Sequence, residues 1–471
     1  MNILLIKRKE GLIGKSKILR NTDLYINGNE QENQYFWMKY DLASHGITAG
    51  TFAVYSVIFC AVISLVFLLR RYFNKYIVVG TSLLLLLSES FYRDIFNIGL
   101  NSWCYEQYLK TYKYGFLSQA LPASIIFLFT DYFTGNAYRT LMIIIMVVVF
   151  VLELIFWHST YEDSELKEFE LFYILTPCFL TTFMNLGMFG KLDVIVTGIY
   201  IFCCIIIKAE KGIWLLPVLM VCGCLTHQQF CFEYFPLMML MLARLVLVEK
   251  KQKFKYPAMV GGAASVIVSF ITQFVSKINV TFDELIADIQ LHTDMVVEGG
   301  MYKGNHYSTL LDNEKFVFNA ATEGRQMLYV LIACIIGFPI LWYMHNVFNN
   351  LCAVKDCETK EDRLIRALMR ITPVFILCSW VIAIDWARYA LAYGQAFFFT
   401  FLTLAYKNDR FRQAIAYANG KCRKLFGQYW LVLFACYALI CGVGEFGACT
   451  FYDRWNPFFI DVITRLHNIC I

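Results

Sequence analysis

Long apolar runs, separated by short polar segments, recur along most of this 471-residue chain. A helix needs about 20 apolar residues to cross the hydrocarbon core of a bilayer, and shorter runs can be tilted, re-entrant or paired. The pattern predicts an all-α fold, a polytopic integral membrane helix bundle with about 11–13 transmembrane helices. The apolar runs cover residues 49–69, 77–88, 117–133, 141–157, 171–188, 194–207, 213–225, 230–248, 257–275, 326–343, 369–384, 389–405 and 428–442.

The composition supports this interpretation. Hydrophobic residues make up 59% of the chain and charged residues only 16%, whereas a soluble protein carries about 25% charged residues. A net charge of +5 gives no indication of nucleic-acid binding. Most of the 17 cysteines lie inside apolar runs, where cysteine behaves as a small hydrophobe. We therefore assign no metal and no cofactor.

Three segments differ in composition. Residues 1–48 form a basic polar N-terminal segment, 49–445 the transmembrane domain and 446–471 an amphipathic C-terminal segment. Within the transmembrane domain, the longest polar stretches are predicted as outer loops at about 89–116 and 277–325.

Basic residues in the connecting segments predict the orientation of the second half. Residues 244–255, 355–370 and 407–424 form basic loops that favour the cytoplasmic side. This places residues 226–229 and 385–388 outside. The orientation of the first half stays open, because its basic stretches conflict.

Both outer loops are predicted to carry interfacial amphipathic helices. The first is rich in aromatic residues typical of a helix lying on the bilayer: Trp103, Tyr105, Tyr108, Tyr112 and Tyr114. In the second, apolar residues from Phe282 to Ile289 fall at i, i+3, i+4 and i+7, which predicts an amphipathic surface helix.

Ionisable residues are concentrated at the ends of the apolar runs, where a charge near hydrocarbon costs about 2.5–3.5 kcal/mol. The stretch Ile382–Gly394 places Asp385 and Arg388 on one helix face, where an ion pair would hold Trp386 and Tyr389 at the membrane–water boundary. Taken singly, such residues are more often structural pairs or anchors. Taken together, they predict a shared outer site containing Arg93, Asp94, Lys191, Asp193, His227, Glu233, Arg325, Asp385, Trp386 and Arg388.

These residue types suit glycosyl transfer from a lipid-linked sugar. A carboxylate can take the proton of the acceptor hydroxyl as the sugar–phosphate bond breaks, and Asp94 and Asp385 are the predicted bases. His227 can serve in either proton direction. The departing phosphate requires charge-assisted hydrogen bonds, for which we predict Arg93, Lys191, Arg325 and Arg388. The other predicted substrate contacts are Asp193, Glu233 and Trp386.

Three short motifs carry a resemblance to known proteins. Tyr114-Gly115-Phe116 with Leu121 looks like a YGF-x-x-R-x-L entry to an early helix. Gly190-Lys191-Leu192-Asp193 is similar to a G-x-x-D turn, and Asp385-Trp386-Ala387-Arg388 to a D-W-x-R element. In these motifs, over residues 76–405, the chain resembles bacterial capsule, exopolysaccharide and O-antigen polymerases and C-superfamily membrane glycosyltransferases. The resemblance implies a multi-pass plasma-membrane protein that acts on polyprenyl-phosphate-linked sugars, with other polysaccharide-assembly proteins as expected partners.

The chain departs from those motifs in two places. Gln119 stands where the first motif has arginine, which removes a predicted phosphate contact there. The first outer loop has no D-x-D; the nearest equivalent is Asp163-Ser164-Glu165. No metal is therefore predicted for the donor site.

Two functions remain open from the sequence, and an acyltransferase is a third, weaker option because His227 lacks an adjacent carboxylate. A membrane-embedded glycosyltransferase or polysaccharide polymerase requires one lateral cavity that meets the outer loops. A flippase for lipid-linked oligosaccharides requires two pseudo-symmetric bundles around a polar site at the bilayer midplane. The charges lie at the ends of runs and no repeat is evident, which favours the enzyme.

Overall fold

The computed structural model describes most of the chain between residues 48 and 440. The described residues are 48–69, 102–158, 164–176, 178–179, 190–275, 278–303, 307, 318, 334–335, 337–353, 359–382, 386–406, 408–440, 446–447, 450–451, 464 and 467. Of the predicted apolar runs, 77–88 lies outside these residues, as does most of 326–343.

The fold is all-α, as predicted. Two-residue strands, Phe446–Gly447 and Thr450–Phe451, form one antiparallel pair that is too short to count as a sheet. The described helices are α1 Ala49–Leu69, α2 Ser102–Tyr105, α3 Leu121–Ile126, α4 Gly135–His158, α5 Ser164–Leu175, α6 Asp193–Ala209, α7 Leu215–Thr226, α8 Phe235–Leu247, α9 Lys255–Phe270, α10 Phe282–Gln290, α11 Gly300–Tyr302, α12 Phe338–Ala353, α13 Lys360–Ile371, α14 Phe375–Ile382, α15 Trp386–Ala405, α16 Asp409–Phe426 and α17 Trp430–Ile440.

Short segments of other helix types extend or connect these helices. A π-helix precedes α8 directly and a second one continues α9; they cover Phe230–Tyr234 and Ile271–Val275. Turns of 3₁₀-helix lie at Glu106–Tyr108, Tyr112–Tyr114, Gln252–Phe254 and Thr372–Val374. A π-helix re-aims the side chains of its turn and is often found at functional sites.

Aromatic side chains fill the centre of the bundle. Phe169 and Phe172 of α5 lie against Phe398 of α15, with ring centroids 4.9 and 5.9 Å apart, and Phe172 stacks on Tyr343 of α12 at 4.3 Å. Tilted and edge-on ring pairs of this kind stabilise a core beyond the burial of their surface. They join helices that are far apart in sequence.

The predicted run at 117–133 is wrong as a membrane span. Its helix, α3, covers only Leu121–Ile126 and is about 9 Å long. Gly115 and Gln119 have positive φ angles of 133° and 65°, which break the chain before the helix. Further on, the backbone N–H of Phe133 donates to the carbonyl of His292. The segment therefore folds back under an outer loop.

The described part of the aromatic segment before it, residues 102–114, forms one short α-helical turn and two 3₁₀ turns rather than the predicted single interfacial helix. Tyr105, Tyr108 and Tyr114 are almost fully buried because residues 278–303 cover them. Glu106 fixes this cover: its Oε1 accepts hydrogen bonds from the backbone N–H groups of Glu298 and Gly299, at 2.8 and 3.0 Å. The rings pack against protein, which an aromatic pattern alone cannot distinguish from lipid.

The predicted amphipathic helix in the second outer loop is confirmed as α10. It begins with a capping box, in which Thr281 Oγ1 accepts from the backbone N–H of Glu284 and the Glu284 carboxylate accepts from the backbone N–H of Thr281. Leu285 and Ile289 are buried. The apolar face of α10 thus covers the aromatic segment.

The predicted basic loops at 355–370 and 407–424 are largely helical, which corrects their assignment as loops. Asp362 of α13 is buried and contacts three arginines: Arg244 of α8, Arg366 at 3.3 Å and Arg410 of α16 at 2.6 Å. The three basic segments therefore meet at one end of the bundle. We call this end the basic pole.

Two of the described helical segments are long and apolar enough to cross a membrane. They are Gly135–His158 and the continuous segment Phe230–Leu247. A buried helix of a soluble protein can meet the same two criteria. A bundle with many membrane spans therefore stays a prediction.

The aspartate at the basic pole gives a test of this packing. Asp362→Asn would leave three arginines without their carboxylate, and we expect a loss of about 3 kcal/mol or more in the free energy of unfolding. Thermal unfolding of the purified protein in detergent would measure it. The control is Asp409→Asn, because the exposed Asp409–Arg412 pair should contribute less than about 1 kcal/mol. Equal melting temperatures for the two variants would contradict the packing.

Candidate functional site

A cluster of ionisable side chains lies at the end of the bundle opposite the basic pole. It consists of Lys110, Lys191, Asp193, His227 and Arg388, which we call the Asp193 cluster. The first residue of α6, the turn after α7 and the first turn of α15 meet here. Apart from Asp193, which is partly accessible, these side chains are at least nine-tenths buried.

The ion pair between Asp193 and Arg388 joins α6 to α15. Asp193 Oδ2 lies 3.4 Å from Arg388 Nε. Burial by itself would raise the pKa of Asp193, but Arg388, His227 and Lys191 together lower it below its usual value. Asp193 therefore stays ionised and is a poor proton acceptor.

A tight turn brings Lys191 to the cluster. Gly190 has a φ of +86° and lies against the Tyr138 hydroxyl, where a Cβ atom would collide. Only glycine adopts this conformation readily. The backbone after Lys191 is also fixed, because Gln107 Oε1 accepts a hydrogen bond from the Leu192 N–H at 3.3 Å. The G-x-x-D turn predicted from the sequence is thus present, and Lys191 is 3% exposed.

His227 is held as a neutral hydrogen-bond donor. Its Nδ1 accepts the backbone N–H of Gln229 at 3.1 Å, so the ring proton resides on Nε2. Burial lowers the pKa of His227 to about 3, assisted by the positive charges of Arg388, Lys191 and Lys110 and opposed by Asp193. The sequence analysis allowed His227 either to accept or to donate a proton. The geometry favours donation of a hydrogen bond from Nε2.

Lys110 is a member of the cluster that the sequence analysis missed. It is fully buried, and burial lowers its pKa to about 7. Its Nζ contacts Gln119 Oε1 at 3.5 Å, and Gln119 Nε2 donates to Gln228 Oε1 at 3.0 Å. Gln119 occupies the position of the arginine in the YGF-x-x-R-x-L motif. Lys110 supplies a cation beside it, from a different part of the chain.

Two polar residues next to the cluster come from the turn after α7 and the π-helix. Gln229 donates from Nε2 to the Arg388 carbonyl at 3.5 Å. Glu233 is fully buried, and its Oε1 accepts from the Ser379 hydroxyl. Gln229 was not among the predicted site residues, because an uncharged amide between two spans gives no distinct signal.

Six of the ten predicted site residues are described. Lys191, Asp193, His227, Glu233 and Arg388 come together, as the shared-site prediction requires. Trp386 is also buried, as is Tyr389, whose ring lies 5.3 Å from the Arg388 guanidinium. Both rings pack against protein, and their predicted place at the membrane–water boundary stays a prediction.

The other four predicted residues lie outside the described residues: Arg93, Asp94, Arg325 and Asp385. Arg388 was expected to pair with Asp385, its neighbour in sequence. The structure gives it Asp193 as a carboxylate partner, which lies on another helix.

Lys110, Lys191 and Arg388 place three buried basic side chains around the carboxylate of Asp193. Such a cluster is suited to an anion, since basic groups held in a medium of low dielectric bind anions strongly. Among the described residues, no group of three or more His, Cys, Asp and Glu side chains is placed to hold a metal ion. Comparison of the chain with protein-family models, curated proteins and solved structures finds no match.

The assignment of His227 can be tested by NMR on a sample labelled with ¹⁵N in its histidines. Because its pKa is lowered to about 3, we expect His227 to stay neutral from pH 7 to pH 4, with Nε2 protonated throughout. Comparison with the His227→Asn variant identifies its signals. A His227 ring that gains a proton near pH 6 would contradict the buried geometry.

Proposed function

We propose that this protein is a membrane-embedded glycosyltransferase or polysaccharide polymerase that uses polyprenyl-phosphate-linked sugars to build a bacterial cell-surface polysaccharide. The observation that carries the proposal is the buried, positively charged Asp193 cluster at one end of a bundle with apolar outer faces. A lipid-linked sugar phosphate presents an anion at the boundary between lipid and water, which is where this arrangement would receive it.

The first support is the exposed apolar surface. On α4, five large aliphatic side chains, each 45–56% exposed, form one stripe along the helix: Ile144, Val147, Val148, Val151 and Ile155. A soluble monomer rarely exposes apolar patches of this kind. Similar exposed residues on α9 are Met259, Val260, Val266, Ile267 and Phe270. Lipid contact accounts for both stripes.

The second support is the separation of the two poles. Asp193 and Lys208 lie at opposite ends of α6, about 22 Å apart along the axis. At the far end Lys208 Nζ lies over the ring of Tyr406, which follows α15, at 4.3 Å. The separation approaches the hydrocarbon thickness of about 30 Å. The basic pole then faces the cytoplasm and the Asp193 cluster faces outward.

In the reaction, the acceptor hydroxyl attacks the anomeric carbon and the bond from that carbon to the phosphate oxygen breaks. The polyprenyl phosphate leaves with the electron pair, and the hydroxyl proton passes to a base. Lys191, Arg388 and Lys110 would hold the departing phosphate, and the His227 Nε2–H would donate to it. Asp193 would keep Arg388 in place. Asp94 and Asp385 stay the predicted bases.

The flippase alternative differs in where its polar site should lie. A transporter would hold its substrate near the middle of the bundle, whereas the Asp193 cluster lies at the ends of α6, α7 and α15. Assays in liposomes separate the two functions. A flippase moves the lipid-linked sugar across the membrane without an acceptor, and a transferase releases polyprenyl phosphate only when an acceptor is present.

Lys191→Met tests the proposed transferase. In nanodiscs supplied with a panel of polyprenyl-phosphoryl sugars and oligosaccharide acceptors, we expect release of polyprenyl phosphate to fall about 100-fold, because a charge on the leaving group is no longer stabilised. The control, Lys303→Met, replaces an exposed outer lysine and should leave the rate unchanged. A wild-type rate in Lys191→Met would contradict the role of the cluster.

Lys110 predicts a pH dependence of donor binding. Since burial lowers its pKa to about 7, Lys110 loses its charge as the pH rises through that value. A polyprenyl-phosphoryl sugar is a phosphodiester with a constant single charge, so its affinity should fall about tenfold between pH 6.5 and 8.5. The fall should vanish in Lys110→Met. It should persist in Glu106→Gln, although burial also raises the pKa of Glu106 to about 7.

A further inference from the structure

Three buried oxygen atoms beside the Asp193 cluster have no hydrogen-bond partner among the residues that the structure describes. They are Asp193 Oδ1, Gln229 Oε1 and Glu233 Oε2. Gln229 is 1% exposed and Glu233 is fully buried. A buried polar atom without a partner costs stability, so proteins keep such atoms mainly where a ligand or an ordered water satisfies them.

The orientation of Gln229 makes its free oxygen a hydrogen-bond acceptor. Its backbone N–H donates to His227 Nδ1, and its Nε2 donates to the Arg388 carbonyl. Exchanging the two amide atoms would place an oxygen against that carbonyl oxygen and lose the bond. Oε1 is therefore left to accept a hydrogen bond from elsewhere.

Glu233 is placed by the π-helix Phe230–Tyr234. The extra residue in this turn brings its carboxyl group to Ser379 of α14, whose hydroxyl donates to Oε1. Oε2 lies on the other side of the carboxyl group, is buried, and has no hydrogen-bond partner in the described part of the chain. The electrostatic effects of Arg388 and Asp193 both reach this carboxyl group, which places it next to the ion pair.

Gln229 Oε1 and Asp193 Oδ1 require hydrogen-bond donors from a ligand, whereas Glu233 Oε2 can accept a hydrogen bond or, when protonated, donate one. The ligand must carry no net positive charge, because Lys191 and Arg388 would repel a cation. A phosphate group brings acceptors and cannot satisfy them. The hydroxyl groups of a sugar ring meet both requirements, and in a glycosyl phosphate they lie directly next to the phosphate.

We propose that Gln229, Glu233 and Asp193 form a subsite for the sugar ring, adjacent to the phosphate-binding cations, and that Gln229 and Glu233 determine which sugar is accepted. The inference rests on the proposed function, because the phosphate must first be bound by the cluster. It adds that the protein recognises the sugar itself as well as its lipid phosphate.

Binding of two matched probes to the full chain in nanodiscs tests the subsite. One probe is a polyprenyl-phosphoryl sugar, taken in turn from glucose, galactose, mannose and N-acetylglucosamine. The other is polyprenyl methyl phosphate, which has the same single charge and no sugar. We expect at least one sugar probe to bind about tenfold or more tightly than the methyl ester. The ratio of the two affinities is the readout.

The variants Gln229→Met and Glu233→Met keep the side-chain length and remove the acceptor oxygens. We expect each to abolish most of the tenfold advantage of the sugar probe and to change binding of the methyl ester by less than about twofold. Lys191→Met should weaken both probes alike. If Glu233→Met does not fold, Glu233→Gln takes its place, with a changed preference among the sugars as the expected result.

The outcomes separate the two proposals. If the wild-type protein binds neither probe, the proposed function fails and the subsite fails with it. If it binds both probes equally, or if Gln229→Met weakens both equally, the cluster binds a lipid phosphate and the sugar subsite is overturned. Wild-type discrimination in both Gln229→Met and Glu233→Met would also overturn it.

Discussion

The ion pair between Asp193 and Arg388 is the contact on which the site depends. Two helices that are nearly 200 positions apart in sequence meet through it, at a distance of 3.4 Å. Arg388 is 5% exposed, and a guanidinium at that depth requires a carboxylate or an anion nearby. With Asp193 as its partner, Arg388 is held in place before any substrate arrives. Lys191 and Lys110 place two further buried basic groups beside this pair.

Two groups of charged residues, the basic pole and the Asp193 cluster, lie at opposite ends of these helices. At the basic pole, Asp362 draws three arginines together, and Arg423 of α16 reaches Glu165 and Glu168 of α5 at 2.8 and 3.0 Å. Asp362 is shared by three arginines there, as in a structural network. In the Asp193 cluster, the uncharged amides of Gln119 and Gln229 lie among the charged side chains. Such amides can offer hydrogen bonds to a ligand in addition to joining helices.

The sequence predicted the helical class and several elements well, because apolar runs report directly on helix length. Helix α1 occupies the predicted residues 49–69, and α15 begins three residues before its predicted run. The predictions fail where contacts with residues distant in sequence determine the structure. Tyr105 and Tyr108 have the pattern of an interfacial helix, but a loop about 190 residues later covers them. The local sequence around these tyrosines gives no sign that this loop covers them.

Prediction of the site was limited in the same way, because the site also depends on contacts between residues that are distant in sequence. Charged residues at the ends of runs identified Lys191, Asp193 and Arg388, because a charge beside hydrocarbon is costly and therefore conspicuous. Arg388 was predicted to pair with Asp385, which lies outside the described residues. Its ion pair with Asp193 was not predicted, since only neighbours in sequence can be compared without a fold. Lys110 was missed for the same reason. It lies among aromatic residues that suggest a surface, and its place beside Gln119 arises only when the chain folds back. Gln119 therefore has a basic side chain beside it although its own side chain is uncharged. The sequence could not show this contact, because the two residues are brought together only by the fold.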